Sequence, residues 1–312
     1  MAEFTIIIPV YNAEVYVAKC LNSVVQQSFK DFNVVIVDDG SKDNSGKIID
    51  AYASKYNNFM VIHQDNQGVS VARNVGIKNS DSEYICFLDA DDYIENNFLE
   101  LFHNEIIKSR PDLIISGVTV ISDRKTNRIL FHENEINIIR KKLLLDEWPL
   151  WVCNKCFRRD AFKEFAFIPG KIFEDMYFIG GVLKEAKVIK CIKEATYFYN
   201  CCNLNSITHN KTASHEYKFI EAKLFIRQKA LDNGMSDISS LDSTIINLMR
   251  NCLLLDLVDG SLDDDKRVFL KEYLKSKNRF IVDFKDRFWV NRLLRDNHFL
   301  CRLYAKYRFR KL

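Results

Sequence analysis

The sequence predicts an α/β protein with a mostly parallel central sheet and a helical C-terminal appendage. Three observations carry this expectation. Over roughly the first 90 residues, short apolar runs alternate with helix-spaced apolar positions, the pattern of β-α-β units. Three of the apolar runs end in polar or acidic clusters: Tyr11-Asn12, Asp38-Asp39 and Asp89-Ala90-Asp91-Asp92. From Ser214 onward the pattern is almost wholly helical.

Phe4 to Val10 is continuously apolar and rich in β-branched residues, as expected of a parallel strand covered on both faces. Val17, Cys20, Leu21, Val24 and Val25 then follow at helical spacing. Asn33 to Val37 is the next strand, closed by the turn sequence Asp38-Asp39-Gly40-Ser41. A helix follows with Ile48, Ile49, Tyr52 and Tyr56 facing inward. Phe59 to His63 reads as a third strand, Ser70 to Lys78 as a short helix, and Tyr84 to Leu88 as a fourth strand. Beyond it, β-rich runs (Leu113 to Ser122, Val188 to Ile192, Thr196 to Asn200) flank helical patterns (Ile136 to Leu145, Asp175 to Lys184). The division falls near 212/213, with residues 1–212 as the α/β domain and 213–312 as the helical region.

The 312 residues suffice for one large domain with an appendage, and 47% hydrophobic with 28% charged content is that of a globular chain with a sizeable core. With 10 Gly and 4 Pro, long disordered linkers are not expected. The N-terminus has no basic region followed by an apolar core, and no stretch approaches the ~18 apolar residues that span a bilayer, so a cytoplasmic location is expected. Nine cysteines at irregular spacing then read as reduced thiols. Cys153 and Cys156, with Cys201 and Cys202, could furnish four sulfurs to zinc, but so short a motif recurs by chance, and small buried residues are expected instead.

In parallel sheets, ligands bind beyond the carboxyl ends of the strands, so the three polar clusters should converge on one crevice. Three carboxylates within four residues are costly unless a cation offsets them, and an oxygen-rich site suits magnesium or manganese carrying a phosphorylated ligand. The same residues also suit a helix N-cap with an acidic first turn. Tyr11 could stack on a base or simply pack at the turn. Asp38 and Asp39 could accept hydrogen bonds from a base and ribose, or serve the turn. Arg73, on a short helix, could pair with the strand-tip acids or with a bound anion. Glu174 and Asp175 open a helical pattern, where the helix dipole favours acids.

Taken in order, Ile8-Pro9-Val10-Tyr11-Asn12, Val37-Asp38-Asp39-Gly40-Ser41, Gly68-Val69-Ser70-Val71-Ala72-Arg73-Asn74 and Leu88-Asp89-Ala90-Asp91-Asp92 resemble the successive motifs of family 2 inverting glycosyltransferases. Asn154-Lys155-Cys156-Phe157-Arg158 and Gly170-Lys171-Ile172-Phe173-Glu174-Asp175 resemble its bacterial capsule, exopolysaccharide and O-antigen members. The resemblance implies a GT-A fold, a nucleotide-sugar donor (UDP-sugar), Mn2+ or Mg2+, and a glycan or lipid-linked acceptor. It places Pro9 and Tyr11 in the nucleoside pocket and Asp39 on the base. Asp38 would hold neighbouring loops. Arg73 would contact the donor side, and Asp89 ribose or metal. Asp91 would bind the metal directly, with Asp92 in support. Asp175 would be the catalytic base, and Glu174 would orient it or touch the acceptor. Lys155 could meet donor phosphate, acceptor or Glu174, and His209 falls where relatives sometimes contact metal or phosphate.

The last segment, 279–312, has ten Lys/Arg against three acids, so it carries +7 and the rest of the chain −4 of the net +3. Eight aromatics are interleaved with these charges, and Phe284, Phe288, Trp289 and Leu293 lie on or near one helical face. Either an anionic membrane surface or packing back onto the protein would satisfy that pattern. Nucleic acid is not the expected partner. Two rivals to a transferase are weaker. A nucleotidyltransferase would carry a Gly- and basic-rich loop after the first strand, and Tyr11-Asn12-Ala13-Glu14 is neither. An inactive binding module would not need the intact D-x-D pair and Asp175.

Overall fold

The computed structural model describes residues 2–122, 125–203, 212–277, 284–294 and 298–308. In chain order the elements begin β1 (Phe4–Val10), α1 (Val17–Val25), β2 (Phe32–Asp38), α2 (Ser45–Lys55), β3 (Phe59–His63), α3 (Val69–Lys78) and β4 (Tyr84–Phe87). There follow β5 (Tyr93–Ile94), α4 (Phe98–Ser109), β6 (Leu113–Ile121), β7 (Thr126–Ile129), α5 (Ile136–Leu144), β8 (Lys155–Arg158), α6 (Glu174–Val182) and β9 (Ile189–Asn200). Five helices complete the chain: α7 (Ala213–Asp232), α8 (Ser239–Asp259), α9 (Asp264–Lys277), α10 (Phe284–Leu294) and α11 (His298–Arg308). The chain divides into two compact units, Met1–Leu143 with Trp148–Leu204, and Leu144–Glu147 with Asn205–Leu312.

The first unit is built on a nine-stranded sheet of order β3-β2-β1-β4-β8-β6-β9-β5, with β7 paired to β6. The half made of β3, β2, β1 and β4 is wholly parallel. Strands β1, β2 and β4 are buried almost throughout, as their unbroken apolar runs require, while the edge strand β3 is partly exposed. In the other half β8 runs antiparallel to both β4 and β6, β5 antiparallel to β9, and β6 parallel to β9. Helix α1 turns Val17, Cys20, Leu21 and Val24 inward, the i, i+3, i+4, i+7 stripe of an amphipathic helix. Helix α3 lies so close to β1 that a Cβ at Gly76 would come within 2.3 Å of Ile7 Cγ2, so only glycine fits there.

This order places the strand tips. In the register, Val10 stands opposite Asp38, and Ile7 opposite Phe87. The chain after β1 goes to β2 and β3 on one side, then returns to β4 on the other. The gap between β1 and β4 is therefore the switch point, where a crevice opens at the carboxyl ends.

The second unit is a helical bundle. Helix α8 is its centre, packed by α7, α9, α10 and α11. Its core includes Ile220, Ile226, Leu241, Ile245, Met249, Leu254, Leu270 and Leu274. The tail helices contribute Val290, Leu293, Cys301 and Ala305 to this core, while Phe288 and Leu303 stay exposed. Among the described residues no helix is long and apolar enough to cross a membrane.

Candidate active site

The loops after β1 and β2 are laced together. Asn12 N–H donates to Ser41 Oγ (3.1 Å), Lys42 N–H to Asn12 Oδ1 (2.8 Å) and Ala13 N–H to Ser45 Oγ (2.8 Å). Tyr11 projects from this loop with 51% of its surface exposed, next to the half-buried Pro9. Asp38 is buried and accepts from Ser41 N–H (3.0 Å) and pairs with His63 Nδ1 (2.8 Å). Burial pushes its carboxyl up, but the bonds from Ser41 and His63 outweigh that and hold it below its usual range. Asp39 is equally buried and grips the loop before α3. Its Oδ1 accepts from Gln64 Nε2 (2.7 Å) and Gln67 N–H (2.9 Å), and its Oδ2 from Gly68 N–H (2.8 Å). A carboxylate offers about four acceptor positions, so one remains, on Oδ2.

Arg73 is the hub of the site. It is buried on α3, and its guanidinium reaches acids from two other segments. Nη2 donates to Asp89 Oδ1 (2.8 Å), and Nη1 to Glu174 Oε1 (2.6 Å) and Asp175 Oδ1 (3.0 Å). Its guanidinium carbon also lies 5.1 Å from the centre of the Phe167 ring. Burial works against the charge, but Asp89, Asp175 and Glu174 outweigh it and keep Arg73 protonated. Arg73 thus meets one strand-tip acid, Asp89, and the two acids Glu174 and Asp175.

Helix α6 begins abruptly. Phe173 precedes it at φ 63°, a strained left-handed conformation for a side chain of that size. Glu174 and Asp175 fill the first turn, where the helix dipole stabilises their charge. Asp175 Oδ2 also accepts from Val152 N–H (3.1 Å). Burial raises its carboxyl, Arg73 lowers it, and Glu174 and Asp89 raise it further, so it is pushed up to about 7.

Lys155, fully buried at the start of β8, does not touch Glu174. Its Nζ donates to Trp151 O, Asn154 Oδ1 (2.8 Å) and Pro149 O (3.4 Å). Burial lowers its ammonium to about 8. Three donors on three acceptors fix the turn that presents Val152 N–H to Asp175.

After β4 the acids separate by partner. Asp92 is buried, its Oδ2 accepting from Tyr197 OH (2.5 Å) and its Oδ1 from Asn200 N–H (2.7 Å). Asp91 Oδ2 accepts from Asn203 Nδ2 (2.9 Å). Burial, then neighbouring acids, raise both carboxyls: Asp89 acts on Asp91, and Asp89 with Asp91 on Asp92. Ligand atoms of Asp89, Asp92 and Cys153 lie within 4.8 Å of one another. Burial and the nearby acids keep the Cys153 thiol protonated, so oxygen is what this cluster offers. Arg73 offsets Asp89 but bonds neither Asp91 nor Asp92, and the surplus negative charge on hard oxygens fits a divalent cation. Among the described residues Cys153, Cys156, Cys201 and Cys202 do not gather into a four-sulfur group; Cys153 instead stands with Asp89 and Asp92.

Asp89, Arg73, Glu174 and Asp175 are thus brought into direct contact, with Asp91 and Asp92 beside Asp89, and Lys155 acts from behind Val152. Asp38 and Asp39 brace loops of the parallel half. His209 lies outside the described residues. The sequence reading passed over Tyr197, Asn200 and Asn203, which hold Asp92 and Asp91. Tyr197 and Asn200 fall in the Thr196 to Asn200 run, whose antiparallel pairing with β5 (Tyr93 opposite Phe198, Ile94 opposite Tyr197) brings it beside Asp92.

The site is an arginine-bridged acid cluster beyond the strand tips of a mixed α/β sheet. The chain belongs to glycosyl transferase family 2, whose family model matches residues 5–167. It is 28% identical over 216 residues to Glycosyltransferase GlyA of Streptococcus pneumoniae serotype 4, covering 63% of this chain and 30% of that protein. It is 31% identical over 225 residues to the uncharacterized glycosyltransferase EpsJ of Bacillus subtilis, covering 65% and 62%. The matched region therefore spans less than two thirds of either relative. In fold the chain is similar to the crystal structure of TarS 1-349 of S. aureus in complex with UDP-GlcNAc: TM-score 0.70, 21% identity, 98% of this chain and 91% of that one. It is also similar to a mannosyltransferase from Pyrobaculum calidifontis in complex with GDP-Man and Mn2+, at TM-score 0.56, 11% identity, 100% and 88% coverage. The fold is that of the GT-A glycosyltransferases.

Proposed function

We infer that the protein is a metal-dependent inverting glycosyltransferase that moves a sugar from a UDP-sugar onto a hydroxyl of a surface glycan or its lipid-linked precursor. The observation that carries this reading is Asp175, a carboxylate pushed up to about 7 and held by Arg73 and Val152 N–H. A base of that strength suits proton removal at neutral pH. Asp175 takes the proton of the acceptor hydroxyl as its oxygen attacks the anomeric carbon opposite the leaving diphosphate. Configuration inverts in that single displacement, and one base suffices.

On the donor side, Tyr11 stacks on the uracil, and the remaining acceptor position on Asp39 Oδ2 takes the uracil N3–H. Asp91 and Asp89 would hold Mn2+ or Mg2+, which neutralises charge on the departing nucleoside diphosphate. Asp92, fixed by Tyr197 and Asn200, keeps the turn that carries both acids in place. TarS with UDP-GlcNAc and the mannosyltransferase with GDP-Man and Mn2+ support a nucleotide-sugar donor and a divalent ion.

The test is a screen of nucleotide-sugars with manganese or magnesium, reading nucleoside diphosphate release beside thermal-shift binding. Asp91→Ala should remove both transfer and metal-dependent UDP binding. Asp175→Asn should remove transfer and leave UDP binding intact. Wild-type rates from either variant overturn its assigned role.

A further inference from the structure

The helical unit carries a second feature, independent of the catalytic reading. Helices α10 and α11 bury Val290, Leu293, Cys301 and Ala305 against the bundle, and Trp289 stacks on Tyr304 with ring centres 4.0 Å apart. Their outward side is not the polar surface expected of a soluble bundle. Phe288 is 43% and Leu303 53% exposed. Around them stand Arg292, 4.8 Å from the Phe288 ring, and the exposed Arg302 and Lys306. No described side chain of 288–294 or 301–306 is acidic, in a segment that carries +7 in sequence.

Beside this face lies a cavity of about 540 Å³, lined by Leu253, Leu257 and Leu293 and bordered by Arg267, Lys271 and Arg302. Two acids also line it, but both are engaged within the bundle. Asp256 accepts from Arg267 and Leu262 N–H, and Asp259 from Ala213 N–H and Ser261 N–H. Arg302 belongs to both the cavity rim and the outward face, so a cation stands where an apolar floor meets an amphipathic surface.

We propose that the α10–α11 face docks on an anionic lipid bilayer, with Phe288 and Leu303 entering the interface and one lipid phosphate seated at the Arg302 rim of the cavity. Charge complementarity selects this occupant. Aromatic and aliphatic side chains among cations, with no acid among the described side chains of 288–294 and 301–306, match the interfacial zone of an anionic leaflet. A second copy of the same face would set cations against cations.

The experiment is co-sedimentation of the full chain with phosphatidylcholine vesicles and with vesicles containing phosphatidylglycerol. Wild type should bind only the second kind, and less as salt rises. Arg302→Glu with Lys306→Glu should reduce partitioning roughly tenfold or more. Phe288→Ser with Leu303→Ser should reduce it even at low salt. Circular dichroism and the UDP thermal shift should be unchanged in both, so loss of binding is separated from loss of fold, and failure here from failure of the catalytic reading. Absence of wild-type binding, equal binding to both vesicle types, or variants that bind like wild type would overturn the proposal. So would a concentration-dependent dimer abolished by Phe288→Ser with Leu303→Ser, or binding to a single-stranded oligonucleotide in place of the vesicles.

Discussion

Two acid clusters sit beyond strands of one sheet, separated only by β1, and they are handled in opposite ways. Asp38, at the β2 end, is held below its usual range by Ser41 and His63 despite burial. Asp91 and Asp92, beyond β4, and Asp175, which Arg73 ties to Asp89, are all raised by burial and by neighbouring acids, Asp89 in each case. Asp38 is compensated where it stands and braces the loop after β2, while its neighbour Asp39 keeps one acceptor position open. The second cluster has more negative charge than its single buried arginine can offset. Uncompensated negative charge is what a divalent cation or a transferable proton needs, and it separates the two clusters here better than the residue types do.

The sharpest break of that contrast is Asp175→Asn. It should lower transfer by roughly 10²–10⁴. In the wild type the rate should climb with pH up to about 7 and then level off, following the Asp175 carboxyl. Stability should run the other way. The unfolded carboxyl titrates at about 3.9, so between that value and the folded one the native chain holds a proton the unfolded chain has released. Stability therefore falls as pH rises through this window, and the Asn variant should flatten the fall in urea titrations.

Arg73→Met is next. It leaves Asp89, Glu174 and Asp175 without their shared cation, and thermal or urea unfolding should show a loss on the order of 3 kcal/mol. Arg73→Lys should recover much of that stability but not the rate, because a point charge cannot span three carboxylates. Lys155→Met should cost about 1–3 kcal/mol, since three buried acceptors lose their donor. It should reduce kcat through Val152 and Asp175 while leaving UDP binding unchanged. The smallest effect belongs to the scaffolding cluster. His63 is half exposed, so His63→Asn should cost about 1 kcal/mol or less and scarcely alter transfer. A large catalytic effect there would erase the distinction between the two clusters.

Much of the scaffold could be read from the chain. The strands Phe4–Val10 and Phe59–His63 fall where their apolar runs place them, and α3 and β6 lie within a residue of expectation. Three strands gave no such signal. Tyr93–Ile94 is two residues long, Thr126–Ile129 is largely exposed, and Lys155–Arg158 holds two cations. Each owes its extended form to pairing with β9, β6 or β4, not to its own pattern. The runs at Val188 to Ile192 and Thr196 to Asn200 join into one strand, β9, with irregular register near Gly117.

The acids, Arg73 and Lys155 were all visible as candidates, as was a pairing of Arg73 with the strand-tip acids; most of the other partners were not. Arg73 bonds Glu174 across 101 positions and Asp92 bonds Tyr197 across 105. Lys155, which could have faced a phosphate, faces backbone carbonyls. The sequence alone determined where most of the strands and helices form, because periodicity and turn chemistry act over a few residues. Tertiary structure decided which charges remain uncompensated, because a carboxylate's protonation depends on burial and on neighbours that only the strand order brings within hydrogen-bond reach.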